Sequence, residues 1–241
     1  MRKELINVLS TLVTNGKESG NKEWQSIEID NRNPIFEIYN INLEIENIEN
    51  PIDSFKPDLP WAEDHFQERV NGLPINPGNE YKNWPYYRSI DNDNLFRSDG
   101  KFSHNYMERY WCKGNTGIRF NYGDLNDIID KIKSNPYTRQ AFLSVWHPED
   151  QLNNGQRVPC TIGYWFYMQN GKLDVKYLIR SCDAYRHFCN DCYMTYRLLQ
   201  YVASNALLEV GNMNIWIGSF HCFKSDIYSI NKLVKKCVDL Q

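Results

Sequence analysis

The chain contains no run of 18 apolar residues, so a membrane-spanning helix is not expected. Its opening, MRKELINVLSTLVTNGKE, lacks an apolar core followed by a small-residue cleavage site; no secretory leader is expected, and the protein is placed in the cytoplasm. Nor is there an excess of one charge, since 27 Lys and Arg stand against 30 Asp and Glu for a formal net charge of -3. A general basic field for a nucleic-acid backbone is thereby excluded, and any phosphate must meet local cations. The seven cysteines are odd in number and irregularly spaced, which argues against a disulfide framework. Cys189 and Cys192 form a CxxC, yet a structural zinc site takes four ligands, usually as two spaced pairs, and no second pair exists. No metal is expected. Internal repeats and low-complexity linkers are also missing, and 241 residues suffice for one sizeable core, so a single domain over 1–241 is expected.

What is present is a clear succession of periodic segments. Leu5, Val8, Leu9 and Leu12 share one face of a helix over the first 20 or so residues, ended by Asn15-Gly16. Ile27, Ile29 and the stretch from Ile35 to Leu43 read as strands. Residues 44–100 are rich in Asn, Asp and Pro and read as loops around one short helix, Trp61 to Val70. Asp124 is placed to cap a helix carrying Leu125, Ile128, Ile129 and Ile132, stopped by Asn135-Pro136. Ala141 to Trp146 reads as a strand, and Thr161–Met168 and Leu173–Arg180 as a hairpin turning at Asn170-Gly171. A helix over 191–208, a strand from Asn214 to Phe223 and a terminal helix follow. The pattern predicts an α+β fold with a mixed sheet.

One segment carries the chemistry: VPCTIGYWFYMQNGKLDVKYLIRSCDAYRHFCNDCY, 158–193. It resembles the thymidylate synthase superfamily, with a Pro-Cys nucleophile, a strand pair, Arg-Ser-x-Asp and then a polar residue that reads the base. The flanks agree in order: GKFSHNYMERYW (100–111), NPYTRQAFLSVW (135–146) and GSFHCF (218–223). Two details are similar to the phage deoxycytidylate hydroxymethylases within that superfamily. Thr161 follows Cys160 where synthases carry His, and Asp191, after Asn190, stands where synthases carry Asn.

The resemblance implies a thymidylate synthase-like sheet packed by helices, with one sheet face forming a homodimer interface. It implies 5,10-methylenetetrahydrofolate as co-substrate and dCMP as substrate, with Cys160 adding to the pyrimidine C6 and water completing a 5-hydroxymethyl product. It also points to phage nucleotide metabolism in a host cytoplasm, where the modified cytosine would enter DNA. The alternatives are reductive methylation, giving dTMP from dUMP or 5-methyl-dCMP, and hydroxymethylation of dUMP or CMP. A non-catalytic nucleotide- or RNA-binding relative is a further class, disfavoured by the presence of Cys160.

A soft thiolate adds to C6 well and leaves again easily. A free Cys titrates near about 8.5, so cations should lower Cys160, and Arg180 and Arg139 are the candidates. Both would also grip the nucleotide phosphate, since guanidinium forks suit bidentate oxyanion contacts; the resemblance implies that Ser181 joins them and that Arg139 reaches the partner subunit's site. Gln140 replaces a second family Arg, and Lys22 is the candidate replacement cation. An ionised Asp191 offers acceptors only, which suits the cytosine amine and repels uracil O4; the alternative role is a helix N-cap. Glu63 is the candidate catalytic acid, with Asp64 or Glu68 as alternatives. By resemblance Asp183 would hold the folate pterin, Asn190 the substrate, His221 the sugar 3′-hydroxyl, and Tyr106 would donate a hydrogen bond near Cys160. Phe223 stands where the family has a second sugar-binding Tyr. No counterpart of the family's closing tail follows Val234–Cys237, so a looser, water-admitting lid is expected.

Overall fold

The computed structural model describes residues 1–24, 27–86, 100–114, 124–152 and 157–238; residues 87–99 of the stretch read as loops lie outside the described residues. Helix α1 (Lys3–Asn15) buries Leu5, Val8, Leu9 and Leu12 and stops where the Gly16 amide donates to Leu12 O at 2.8 Å. Three two-residue strands follow, β1 (Lys17–Glu18), β2 (Glu23–Trp24) and β3 (Ile27–Glu28), and then the long β4 (Ile35–Ile45). The Asn-rich stretch forms α2 (Pro51–Phe55), α3 (Trp61–Arg69) and, past the undescribed residues, α4 (Tyr106–Tyr110). Two of these had no expectation from periodicity: α2 and α4 are five-residue helices started by the Asn50 and Asn105 side chains, which accept from the first backbone amides.

In the second half, α5 (Leu125–Ser134) begins at a capping box between Asp124 and Asp127 and buries the four predicted apolar residues. Strands β5 (Phe142–Ser144), β6 (Thr161–Gln169) and β7 (Lys172–Asp183) lead into α6 (Phe188–Ala206), β8 (Val210–Phe223) and α7 (Ile227–Val238). The turn at Asn170-Gly171 has φ of 52° and 79°; two successive positive values are what a two-residue hairpin turn demands and why Asn and Gly occupy it.

One six-stranded mixed sheet, ordered β1-β4-β8-β7-β6-β5, organises the molecule, as the pattern predicted. Among the described residues only β7 and β8 run parallel, and α6 supplies the crossover such a pair requires. Val175, Tyr177, Ile179, Met213, Ile215 and Ile217 line the buried face. Trp165, Tyr167, Leu178 and Trp216 alternate with them and are half-buried. No helix among the described residues is long and apolar enough to cross a membrane.

Candidate active site

The C-terminal ends of β7 and β8, the entry to β6, and helices α3, α4 and α6 surround a cavity of about 490 Å3. Cys160, Arg180, Ser181, Asp183, Asp191, His221 and Tyr106 all line it, so seven of the eleven residues singled out in the sequence share one chamber. The sheet register explains much of this. Ser181 pairs with Ser219, and Asp183 with His221, across the parallel β7–β8 ladder, so the Arg-Ser-x-Asp and Gly-Ser-Phe-His segments present their side chains in adjacent rows.

Cys160 sits at the entry to β6, its carbonyl accepting the Arg180 amide at 2.9 Å. The Arg180 guanidinium donates from Nε to Pro159 O at 2.9 Å and from Nη2 to Val158 O at 3.1 Å, so it clamps the residues just before the thiol. Burial pushes the Cys160 thiol up, while Arg180 and then Arg157 pull it down; the net direction is upward. The expected lowering by Arg180 and Arg139 is therefore corrected on two counts. Desolvation wins in the free protein, and the second cation is Arg157, since Arg139 is exposed on the approach to β5 and does not line the cavity. A signal for Arg157 existed in its position three residues before the cysteine.

Tyr106 Oη shares a 2.8 Å hydrogen bond with Thr161 Oγ1, which is 3.0 Å from Tyr177 Oη. Its hydroxyl is engaged with the residue after the cysteine rather than offered to the thiol. Asp191 lies in the first turn of α6, which starts at Phe188 with His187 as the N-cap residue. It is thus not an N-cap, and the geometry leaves its carboxyl in the cavity wall. Burial pushes Asp191 up to about 7, against the pull of Arg69 and with a further push from Asp183. Asp183 accepts from the Tyr185 and Arg186 amides, both at 2.9 Å, and from Arg186 Nη1 at 3.1 Å. His221 is buried, its Nε2 without a hydrogen-bond partner, and burial lowers its ring below the usual imidazole range.

Four expected residues fall outside the chamber. Glu63 is tied to α6, accepting from Arg197 Nε at 2.9 Å, Arg197 Nη2 at 2.8 Å and Tyr193 Oη at 2.8 Å. Asn190 is buried and clasps Asp58, accepting from its amide at 2.8 Å and donating to its carboxylate at 2.9 Å. Lys22 is exposed and, like Arg139, absent from the cavity wall, although its neighbours Asn21 and Glu23 line it.

On α3 the carboxylate that lines the cavity is Glu68, five residues and more than one helical turn beyond Glu63. Its carboxylate accepts from the Asn79 amide and, at 3.4 Å, from the Glu80 amide, with His65 Nδ1 at 3.7 Å. Burial would raise Glu68, but His65 and these amides outweigh it and hold the carboxyl low. Gly78 makes the arrangement possible, since a Cβ there would overlap the Glu68 carboxylate and the Met107 methyl. Glu68 was one of the two alternatives to Glu63, whereas Glu37 of β4, opposite His221 in the ladder, was unforeseen; it accepts from Ser219 Oγ at 2.6 Å and lines the cavity. On the far wall Trp61 stacks on His65 at 5.2 Å and Trp84 on His187 at 4.8 Å, two aromatic stacks tilted 44° to each other that offer flat faces of the kind that receive a heterocycle.

A mixed sheet backed by helices encloses a chamber of small-molecule size lined by a thiol, three arginines and the Asp191 carboxyl. The chain belongs to the thymidylate synthase family, whose model matches residues 68–239. Thymidylate synthase of Listeria monocytogenes serotype 4a (strain HCC23) is 27% identical over 144 residues, 57% of this chain and 46% of that one. Thymidylate synthase of Listeria innocua serovar 6a (strain ATCC BAA-680 / CLIP 11262) is 25% identical over 149 residues, 62% and 47% of the two. The chain spans about half the length of the curated relatives it matches.

Proposed function

We propose that this protein transfers a one-carbon unit from 5,10-methylenetetrahydrofolate to C5 of dCMP, with water completing 5-hydroxymethyl-dCMP, through a covalent bond between Cys160 Sγ and C6. The observation that carries this reading is the shared cavity of Cys160, Arg180, Ser181, Asp183, Asp191 and His221. Arg180 and Arg157 supply the local positive charge that an overall net charge of -3 cannot, and a bound phosphate would draw on the same guanidinium that clamps Cys160. The aromatic wall of Trp61 and Trp84 suits the pterin of the co-substrate, which supplies the carbon.

The preference for cytosine takes a different form from the one expected for an ionised Asp191. A carboxyl that keeps its proton to about pH 7 both donates and accepts. It pairs with cytosine by donating to N3 and accepting from the amine, and it pairs with uracil by accepting from N3–H and donating to O4. The distinction then lies in proton transfer: as sulfur adds to C6, electron density reaches N3 of cytosine, a far better base than O4 of uracil, and Asp191 is the acid positioned to give that proton. Thymidylate synthesis from dUMP is the second reading, favoured by the names of the Listeria relatives. Mass spectrometry of products from dCMP and dUMP with methylenetetrahydrofolate separates the two. A hydroxymethyl gain on dCMP supports the first reading, a methyl gain on dUMP the second, and no product from either base removes both.

Glu68 replaces Glu63 as the carboxylate proposed to order water and move protons. Glu68→Gln should lower kcat by on the order of 10²–10⁴. Glu63→Gln should leave kcat within a few-fold and cost about 1 kcal/mol of stability, because its partly exposed pair with Arg197 links α3 to α6. Steady-state kinetics beside thermal melts of both variants check this, and the reverse ranking would return the role to Glu63. We also propose a homodimer in which the sheet face bearing Trp165, Tyr167, Leu178 and Trp216 is the interface and Arg139 serves the partner's phosphate site. Its exposure outside its own cavity supports that role. Mixing Cys160→Ser with Arg139→Ala protein should generate activity that neither shows alone; inactivity of the mixture beside an active wild type would refute the shared site.

A further inference from the structure

Arg69, the last residue of α3, is 6% exposed and lines the same cavity as Asp191. Its guanidinium lies over the Tyr106 ring, 4.1 Å from the centroid. Nη2 is 3.1 Å from His65 Nε2, and Nε is buried without a hydrogen-bond partner. His65 is held down to about 4 by burial and so carries no charge at neutral pH. Among the described residues no carboxylate lies within ion-pair distance of Arg69; its neighbour in sequence, Glu68, is turned toward the Asn79 and Glu80 amides. A buried cation left without a counter-ion is costly, so the charge calls for a negative group that forms nearby. The groups facing Asp191 are Arg69 from α3, Tyr106 and Tyr110 from α4, Cys160 at the head of β6, Tyr177, Cys182 and Asp183 from β7, and Cys189 and Cys192 from its own helix α6. Arg69 is the one cation in that set.

We propose that Arg69 is the counter-charge of Asp191, a positioning residue that sets how readily the base-reading carboxyl gives up its proton. The inference deepens the function proposed above and rests on it only for its catalytic consequence. When Sγ bonds to C6 of cytosine, the C5=C6 pair moves to C4=C5 and the C4=N3 pair moves to N3, which takes the Asp191 proton. Negative charge thereby passes from the thiolate to the Asp191 carboxylate, beside Arg69. A cation preplaced and stacked on Tyr106 meets that charge without moving.

The direct test follows the Asp191 carboxyl carbon by NMR, identified by its loss in Asp191→Asn, through a pH titration of the ligand-free protein. Arg69→Gln should move the midpoint upward by about one unit or more, because removing a cation favours the neutral acid; Arg69→Lys should move it less. An unchanged midpoint in Arg69→Gln overturns the proposal. Should Arg69→Gln fail to fold, Arg69 Nε in the wild type decides the matter. Its resonance should shift with the Asp191 titration and stay still in Asp191→Asn, and a static resonance in both overturns the pairing. With dCMP, Arg69→Gln should lower kcat on the order of tenfold with KM within a few-fold, and Arg69→Lys should recover part of the loss. Absence of any product from the wild type would remove the proposed reaction, while the titration would still decide the role of Arg69.

Discussion

Cys160→Ser is expected to abolish turnover, by on the order of 10⁴-fold or more, while the protein folds as before. A serine hydroxyl ionises far above any thiol, and oxygen is a harder nucleophile that adds poorly to the conjugated C6. The flanking cations do not rescue it. Arg180 and Arg157 act on Cys160 by charge, and burial already outweighs them for a thiol. Stability should change little, because Arg180 grips the backbone carbonyls of Val158, Pro159 and, through its own amide, Cys160, none of which the substitution touches. Product analysis and a thermal melt of the same preparation check both halves. Retained turnover in folded protein would end the role of Cys160.

Asp191→Asn should shift the ratio of kcat/KM for dCMP over dUMP toward dUMP by roughly 10–10³-fold. An amide has no proton for N3 of cytosine to take, yet it can turn to meet both O4 and N3–H of uracil. The same change should stabilise the folded protein in a defined pH window. The Asp191 carboxyl ionises near 3.8 in an unfolded chain but near 7 in the cavity. Between those values the native state holds a proton that the unfolded state has lost, so native stability falls as pH rises from about 4 to about 7 and stays lower above. Asparagine carries no such penalty. At about 1.4 kcal/mol per unit the penalty approaches ~4 kcal/mol at most, and solvent at the cavity mouth discounts it to about 1–2 kcal/mol. A rise in Tm of roughly 2–8 °C at pH 8 is expected, vanishing below pH 4. An unchanged substrate ratio would reduce Asp191 to a structural acid, and a Tm gain equal at all pH values would show that its titration is not the cause.

The elements read most faithfully from the sequence were those whose chemistry is local. Asn170-Gly171 demands a tight hairpin, Asp124 and Asp127 cap one another, and Leu125, Ile128, Ile129 and Ile132 fall on one helical stripe. The cysteine, Arg180, Ser181, Asp183 and His221 were legible through the family resemblance of the segments that carry them. They lie on or at the head of paired strands, and the parallel β7–β8 register is what brings them into neighbouring rows. The opposite wall was not legible. PWAEDHFQERV has five charged or imidazole side chains in eleven residues and only a weak apolar stripe, so nothing local separates Glu63, which locks two helices together, from Glu68 and Arg69, which face the cavity. Helix phase decides that, and the phase is set by Ala62 and Phe66 packing into the core. Asn190 misled for the converse reason: it sits beside Asp191, but successive helical residues point about 100° apart, and its amide turns to Asp58.

His65, His104, His187 and His221 all line the cavity, and burial holds each of them below the ordinary imidazole range, near 4, 3 and 4 for the first three. The side chain that usually senses physiological pH is therefore present four times in the wall and silent at His65, His104 and His187. Asp191 has moved in the opposite direction, into the range the histidines vacated. The wall thus moves its proton exchange from those imidazoles toward a carboxyl, and a calorimetric titration of a ligand at several pH values should show proton uptake or release with its inflection at Asp191 and none at His65, His104 or His187.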